Sequence, residues 1–187
     1  MLALHAGLSG ALPDGVLDVV PAGRTILVVT DPDVTPLADV TAAVRAATPR
    51  PGARGGGDLL EVPVVYDGED LDDVAGLLGC DRAEVVRRHT GQEWTVAFCG
   101  FAPGFGYLVS RDGGWDVPRR SSPRTKVPAG AVALAGEFSG VYPRASPGGW
   151  RLLGRTELAV FDLDREPAAL LTPGRPVRFV DVTGEGS

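Results

Sequence analysis

The sequence has few of the side chains that commonly serve as nucleophiles or metal ligands. Its 187 residues include two cysteines, Cys80 and Cys99, and two histidines, His5 and His89, in no metal-ligand or redox spacing. We therefore expect no metal site and no disulfide framework. Cys99 follows His89 by ten residues, but it lies inside the apolar run VAFCGF, which favours a buried structural thiol over a nucleophile.

Long hydrophobic segments, secretory signals and the familiar phosphate-binding loops are also absent from the sequence. No stretch approaches the roughly 20 apolar residues of a membrane-spanning helix, and the N-terminus lacks a basic segment. Neither G-x-x-x-x-G-K-[ST] nor a helix-opening G-x-G-x-x-G occurs, and no serine stands in G-x-S-x-G. We expect a cytoplasmic protein that does not associate with membranes.

Positive charge is scarce overall but concentrated in one segment. The formal net charge of −6 gives no general electrostatic reason for a nucleic-acid partner. Between residues 117 and 156, however, the only acid is Glu137, and the cations are Arg119, Arg120, Arg124, Lys126, Arg144, Arg151 and Arg155. Either this segment binds an anion, or its arginines pair with acids from distant strands. Lys126 is the only lysine of the chain, which suggests a need for a compact, titratable amine.

Changes in residue pattern predict two domains, 1–57 and 58–187. The first contains VLDVVPAGRTILVVTDP, a strand-turn-strand pattern, and TPLADVTAAVRAA, a helix pattern with Thr35 as its N-cap. The glycine- and proline-rich TPRPGARGGGD then predicts a linker. The second domain opens with the strand LLEVPVVY and two short helices. Gly79 ends the first of these helices, and Asp81 and Glu84 begin the second in a capping-box pattern.

From Trp94 onward the pattern is typical of a compact β-barrel or sandwich. Short apolar runs are separated by glycine and proline, namely WTVAFC, AVALAG, WRLLG, ELAVFDL and VRFVDV. The preceding helices, LDDVAGLLGCDRAEVVRRHTG, also resemble a DNA-binding helix-turn-helix. Three aspartates on the first helix would repel phosphate, so we do not expect a nucleic-acid partner.

Two glycine-rich aromatic segments, GFAPGFGYL and GVYPRASPGGW, flank the cationic one and predict a small concave site with apolar walls. The candidate substrate-binding residues are Phe101, Pro103, Gly104, Phe105, Tyr107, Tyr142, Pro147, Gly148, Gly149 and Trp150. The alternative is that both segments are tight barrel corners whose aromatics pack into the core. His89 ends a helix, where a cation interacts favourably with the macrodipole, and a ligand-contacting or proton-shuttling role is its alternative.

The run HTGQEWTVAFCGFAPGFGYL, followed by VPRRSSPRTKVPAGAVALAGEFSGVYPRASPGGWRLLGRT, resembles the allophanate hydrolase subunit 1 family, also described as carboxyltransferase subdomains C and D. The resemblance covers roughly residues 61–181. It implies an α+β chain in which a small α/β N-terminal domain precedes a cyclophilin-like β-barrel. Family members usually have a further strand and helix before VLDVVPAGRTILVVTDP, so we expect a shortened N-terminal domain.

The resemblance also implies a function, because the family includes a subunit of the prokaryotic ATP-dependent 5-oxoprolinase. If the chain has this function, we expect it to have no 5-oxoprolinase activity without its partner subunit. With a carboxyltransferase-type partner subunit, similar to allophanate hydrolase subunit 2, it uses ATP and Mg²⁺ to phosphorylate the lactam oxygen of 5-oxoproline. Candidate catalytic residues are then Arg119 and Arg124 as anion clamps, Lys126 as the group that neutralises phosphoryl charge, and His89 as a proton shuttle.

Two other functions stay open at the level of the sequence. The family also includes a sporulation histidine-kinase inhibitor, and a barrel without a nucleophile, a metal site or a complete ATP motif is consistent with a non-catalytic regulator. The family's older name implies action on allophanate or urea. The chain lacks an amidase-type Ser-Ser-Lys arrangement, because no Gly/Ser-rich loop precedes Ser121 and Ser122, and we therefore favour the 5-oxoprolinase interpretation.

Overall fold

The computed structural model describes residues 2–8, 12–50 and 57–184, and the chain divides into two compact units, Met1–Gly55 and Gly56–Ser187. The central part of the predicted linker, residues 51–56, lies outside the described residues. Across the described ranges, no helix is long and apolar enough to cross a membrane.

The first unit contains two helices and a two-stranded antiparallel sheet. Its elements are α1 (Leu2–Leu8), β1 (Val16–Pro21), β2 (Ile26–Thr30) and α2 (Leu37–Ala46). The strand-turn-strand prediction is confirmed, with Val20 opposite Leu27. Thr35 is not the N-cap of α2, because Pro36 occupies that position in an extended conformation. The Thr35 hydroxyl instead donates to the carbonyl of Asp14, which ties the start of the helix to the loop before β1.

The helices of the second unit begin and end where the sequence predicts. After β3 (Leu60–Val64) come α3 (Leu71–Leu78) and α4 (Arg82–Thr90). Gly79 ends α3 with a φ of 66°, a left-handed conformation that glycine adopts without steric cost. The Asp81 carboxylate accepts the backbone N–H of Glu84 at 2.7 Å, so α4 is capped as predicted.

The remaining strands complete a seven-stranded sheet that almost closes on itself and form a separate two-stranded ribbon. They are β4 (Trp94–Cys99), β5 (Gly106–Ser110), β6 (Arg124–Val127), β7 (Ala131–Ala135), β8 (Phe138–Val141), β9 (Ser146–Gly148), β10 (Arg151–Arg155) and β11 (Pro176–Asp181). Seven strands follow the order β10-β7-β8-β5-β4-β11-β3, and β6 pairs with β9 in a separate ribbon. The edges meet where Val65 and Arg155 exchange two backbone hydrogen bonds of 2.9 Å. This mixed architecture with a nearly closed barrel confirms the predicted fold class.

One predicted strand is wrong. Within ELAVFDL, only Phe161 pairs as a strand residue, in an isolated bridge to Ala169. The Arg165 guanidinium donates to the carbonyl of Ala159 at 2.8 Å, and the N–H of Leu170 donates to the carbonyl of Val160 at 2.9 Å. The segment therefore folds back on residues 165–170 instead of joining the barrel sheet.

Two apolar clusters form the core of the second unit. The larger one packs α3 and α4 against the sheet and includes Trp94 and Phe179, both fully buried. The smaller one gathers Phe105, Tyr142 and Trp150 beside the alanines of β7. Every residue of β7 is buried, so this strand is covered on both faces, and the smaller cluster continues to the surface at the pocket described next.

Candidate active site

A small pocket lies beside β5, bounded by the segment ahead of β6 and the loop ahead of β10. Its volume is about 120 Å³. Its lining consists of Phe101, Phe105, Tyr107, Arg119, Tyr142, Pro147, Gly148, Gly149 and Trp150. The structure thus brings together eight of the ten candidate substrate-binding residues, whereas Pro103 and Gly104 are not among the lining residues. That the eight bind a substrate stays a prediction.

The walls of the pocket are aromatic rings held edge to face. Phe105 is 1% exposed, and its ring centroid lies 5.1 Å from that of Tyr107 and 5.3 Å from those of Tyr142 and Trp150. Such edge-to-face pairs fix ring orientation as well as burying apolar area. The concave site and the packed barrel corners were given above as alternatives, but the structure contains both, because the same rings pack the smaller core cluster and line the pocket.

Two glycines allow the close packing around these rings. A Cβ at Gly148 would overlap the hydroxyl of Tyr142, so only glycine lets the backbone pass this close to the phenol. Gly104 has a φ of 79°, and a Cβ there would collide with Phe161. Gly148 therefore shapes the pocket itself, whereas Gly104 allows the turn that carries Phe101 and Phe105.

Phe101 has an unusual backbone conformation at the mouth of the pocket. Its φ is 68°, and it is the only non-glycine residue with positive φ in the described part of the chain. The N–H of Ala102 donates to the carbonyl of Gly100 at 2.8 Å, which makes a three-residue γ-turn of the strained, positive-φ kind. The turn leaves the Phe101 side chain 58% exposed, with its ring 5.4 Å from Phe105 and 6.2 Å from Tyr142.

Most of the clustered arginines are paired with acids. Arg124 contacts Asp70 at 2.8 Å and Glu69 at 3.0 Å, and Arg120 contacts Asp70 at 2.6 Å. Arg151 pairs with Asp73 at 2.7 Å, and Arg155 with Asp67 at 2.9 Å. These four arginines therefore pair with acids of the same chain, which is the second of the two possibilities given above. Their acidic partners lie in residues 67–73, and Arg155 also contacts Glu157.

Among the residues that the structure describes, Arg119 is the one cation that lines the pocket. It is exposed, and among the described residues no hydrogen bond or ion pair engages its guanidinium. The structure does not bring the other candidate cations into the lining. Arg124 is occupied by Asp70 and Glu69, and Lys126 is an exposed residue of β6. The charge available to a ligand in the pocket is therefore that of a single guanidinium.

Tyr142 offers a hydroxyl group in the pocket wall. Burial raises the pKa of this phenol, as does the neighbouring Tyr107, while Arg119 and the backbone N–H of Trp150 act in the opposite direction. The hydroxyl therefore stays protonated at neutral pH and can donate a hydrogen bond to an oxygen atom of a ligand. Arg119 and Tyr142 together can hold a small molecule that has one anionic group and one neutral acceptor.

His89 lies in the core and does not reach the pocket. It is fully buried, with Nδ1 2.7 Å from the Tyr66 hydroxyl, Nε2 2.9 Å from the Ser139 hydroxyl, and its ring stacked 4.3 Å from Phe179. Ser139 in turn donates to the carbonyl of Ala133, which fits a neutral imidazole with its proton on Nε2. Burial lowers the pKa of His89 to about 3. This geometry gives His89 a structural role and does not support its use as a proton shuttle.

The cysteine in this region also has a structural setting. Cys99 is half-buried, and its thiol donates to the carbonyl of Leu171 at 3.2 Å. Burial raises the pKa of the thiol, so the thiolate is disfavoured. Among the described residues, no group of three or more His, Cys, Asp or Glu side chains is placed to hold a metal ion.

Sequence reasoning missed Asp70, the buried acid beside this site. Its side chain is 2% exposed and lies between Arg120 and Arg124, which are 50 and 54 residues away along the chain. In the sequence Asp70 counts only as one of several aspartates at the start of a helix. The charge imbalance of the segment 117–156 indicates that acids must lie opposite it, but no spacing rule identifies which ones.

Comparison with known proteins agrees with the architecture. The model of the family described as carboxyltransferase domain, subdomain C and D, matches residues 1–171. The chain is 48% identical over 125 residues to a 5-oxoprolinase subunit of Escherichia coli O157:H7, covering 65% of this chain and 57% of that protein. It is 44% identical over 128 residues to the corresponding 5-oxoprolinase subunit of Bacillus subtilis strain 168, covering 67% and 53%. The matched segment thus spans little more than half the length of these relatives.

Solved structures show the same fold. The crystal structure of TTHA0988 superposes with a TM-score of 0.81 at 39% identity, covering 98% of this chain and 36% of that one. The urea carboxylase of Kluyveromyces lactis superposes with a TM-score of 0.75 over 98% of this chain and 19% of that one, and at 20% identity this likeness concerns the fold alone. On the family match and these relatives together, the chain belongs to the carboxyltransferase domain, subdomain C and D, family.

Proposed function

We propose that this chain is a subunit of an ATP-dependent 5-oxoprolinase-type hydrolase, and that its aromatic pocket holds the cyclic amide. The observation that carries the proposal is the pocket itself, which combines aromatic walls, the unpaired guanidinium of Arg119 and the protonated phenol of Tyr142 in about 120 Å³. The identity of 48% and 44% to two proteins named as 5-oxoprolinase subunits supports the choice of substrate.

The chemistry of 5-oxoproline matches the groups that the pocket presents. The molecule is a nearly flat five-membered lactam that carries a single carboxylate. Its ring packs against the accessible aromatic side chains of the lining, Phe101 and Tyr107, and the Arg119 guanidinium forms a charge-assisted hydrogen bond with its carboxylate. The Tyr142 hydroxyl donates to the lactam oxygen and so orients the ring in the pocket.

A nucleotide does not fit in the same pocket. The volume of about 120 Å³ is well below the roughly 300 Å³ at which sites for larger ligands begin. Asp70 and Glu69 already pair with Arg120 and Arg124, so among the described lining residues the pocket offers a triphosphate only Arg119. In this proposal, ATP and Mg²⁺ bind at the surface shared with the carboxyltransferase-type partner subunit, and the chain alone is inactive. When bound there, ATP supplies the phosphoryl group that activates the lactam.

The test is ADP release by the chain co-purified with its partner subunit, with and without 5-oxoproline. We expect 5-oxoproline to stimulate release. Arg119→Ala should raise the KM for 5-oxoproline about 10- to 100-fold, because a hydrogen bond to a charged group is worth roughly 1.5–3 kcal/mol. Arg144→Ala is the matched control, since Arg144 is an exposed cation of the same segment that does not line the pocket. Absence of stimulation, or equal effects of the two variants, would contradict the proposal.

A further inference from the structure

Asp70 is the most completely engaged acid beside the pocket. Its Oδ1 accepts Arg120 Nη1 at 2.6 Å and Arg124 Nη2 at 3.0 Å. Its Oδ2 accepts the backbone N–H of Leu152 at 2.8 Å and lies 2.8 Å from Arg124 Nη1. A carboxylate that is 2% exposed and has this many donors is held in one orientation.

Because of these contacts, the Asp70 side chain does not cap its own helix. The residue stands at the N-cap of α3, where an aspartate normally accepts a backbone N–H of the first turn. Its side chain makes no such hydrogen bond and turns instead toward residues at least 50 positions away. The carboxylate thus stabilises the packing of distant segments and leaves the start of its own helix without a side-chain cap.

Each segment that Asp70 holds runs directly into the pocket wall. Arg120 follows Arg119, and its backbone N–H donates to the carbonyl of Gly149 at 2.8 Å. Arg124 lies opposite Gly148 in the β6–β9 ribbon. Leu152 lies two residues after Trp150 on the adjoining strand β10. One carboxylate therefore joins the segment that carries Arg119 to the segment that carries the glycine and tryptophan of the opposite wall.

We propose that Asp70 is a positioning residue for the pocket, which fixes the Arg119 segment against the Gly148–Trp150 wall so that the Arg119 guanidinium faces the substrate carboxylate. The identity of that substrate as 5-oxoproline rests on the function proposed above. Because Asp70 and Glu69 together balance the charges of Arg120 and Arg124, Arg119 is the unpaired cation among the described residues that line the pocket, which suits a ligand with a single negative charge.

The experiment is a double-mutant cycle on the complex of this chain with its partner subunit, with 5-oxoproline binding measured by titration calorimetry. We expect Asp70→Asn to weaken binding at least 10-fold. In an Arg119→Ala background the same substitution should have almost no further effect, because Asp70 acts through Arg119. Asp67→Asn is the control, since Asp67 on the same loop pairs with Arg155 at an exposed site and should leave binding unchanged. Independent, additive effects of Asp70→Asn and Arg119→Ala would overturn the proposal.

Hydrogen exchange without substrate separates this inference from the proposed function. In Asp70→Asn, the Arg120 amide that donates to Gly149 should exchange at least 10-fold faster than in the wild type and in Asp67→Asn. Unchanged exchange would overturn the positioning role whatever the substrate is. Faster exchange together with no 5-oxoproline binding by the wild type would instead contradict the proposed function. If Asp70→Asn does not fold, Arg120→Met removes one of the contacts while the Asp70–Arg124 pair remains, and the same acceleration is expected.

Discussion

Phe101 combines an exposed aromatic side chain with a backbone conformation that favours glycine. Comparison of Phe101→Gly with Phe101→Ala isolates the backbone, because both variants lack the ring. A positive φ costs a non-glycine residue about 1–2 kcal/mol, and the greater unfolded-state freedom of glycine offsets part of this. We expect the glycine variant to be more stable than the alanine variant by about 0.5–1 kcal/mol in chemical denaturation.

The same two variants report on the function of the ring. Both should bind 5-oxoproline several-fold more weakly than the wild type, because each removes part of the wall at the mouth of the pocket. An alanine variant as stable as the glycine variant would show that the turn is not strained. Wild-type affinity in both variants would show that the Phe101 ring does not contact the ligand.

His89 makes the stability of the protein depend on pH. Burial lowers its pKa from 6.5 to about 3, so between these values the unfolded chain binds a proton that the folded chain does not. The contribution of His89 to stability is therefore complete above pH 6.5 and is lost as the pH falls toward 3. The expected slope approaches about 1.4 kcal/mol per pH unit near pH 5.

Denaturant unfolding of the wild type and of His89→Gln at pH 7, 6 and 5 measures this slope. Glutamine does not titrate, so the variant should show a flatter dependence even though it loses the stack on Phe179 and is less stable at pH 7. Between pH 5 and pH 7, Asp70 does not contribute to the change in stability. Burial alone would raise the pKa of that carboxyl, but the hydrogen bonds from Arg124 and Leu152 hold it below its usual range, so its contribution is lost only below about pH 4. Parallel curves for the two proteins would exclude a buried, neutral His89.

At the scale of the elements, closure of the barrel depends on Gly154 in β10. A Cβ there would overlap the carbonyl oxygen of Val65, one residue from the Val65–Arg155 bridge that joins the sheet edges. We expect Gly154→Ala to lower the free energy of unfolding by about 1–3 kcal/mol, as other overpacked positions do. Thermal and chemical denaturation of the variant and the wild type measure the loss.

The matched control is Gly76→Ala in α3. Gly76 is exposed within the helix, and no heavy atom lies within 4 Å of the position that a Cβ would take. Alanine has a higher helix propensity than glycine, so this change should stabilise the protein by about 0.5–1 kcal/mol. If Gly154→Ala were tolerated as well as Gly76→Ala, the barrel edges would have to be free to separate.

The elements that sequence predicts best are those specified by neighbours along the chain. Gly79 and Asp81 end and begin helices through residues at most five positions away, and both predictions are confirmed. The predicted strand in ELAVFDL is wrong, because Arg165 and Leu170 hold the segment in a local fold. The composition of the two aromatic segments predicts that they form one pocket, and residues of both segments line it. Which cation lines that pocket could not be predicted, because Arg120 and Arg124 pair with Asp70, at least 50 residues away, and this pairing follows no spacing rule.

At the scale of the whole molecule, acidic and basic residues that lie in separate segments of the sequence form ion pairs in the folded protein. The acids of residues 67–73 lie opposite the cations of residues 120–155 and satisfy four of them. Arg119 stays available because its neighbours are engaged. Of these four, Arg120 and Arg124 lie in segments that contribute to the pocket wall, so the pairing with Asp70 is the part of this charge pattern that bears on the pocket.

The last prediction concerns the independence of the second unit. Both apolar clusters, the barrel sheet and the pocket consist of residues beyond position 57, and so do all three tryptophans of the chain, Trp94, Trp115 and Trp150. Residues 57–187 produced alone should therefore fold cooperatively, with the same fluorescence-detected denaturation midpoint as the full chain. A lower midpoint, or a fragment without a transition, would mean that residues 1–56 contribute directly to the stability of the barrel that holds the site.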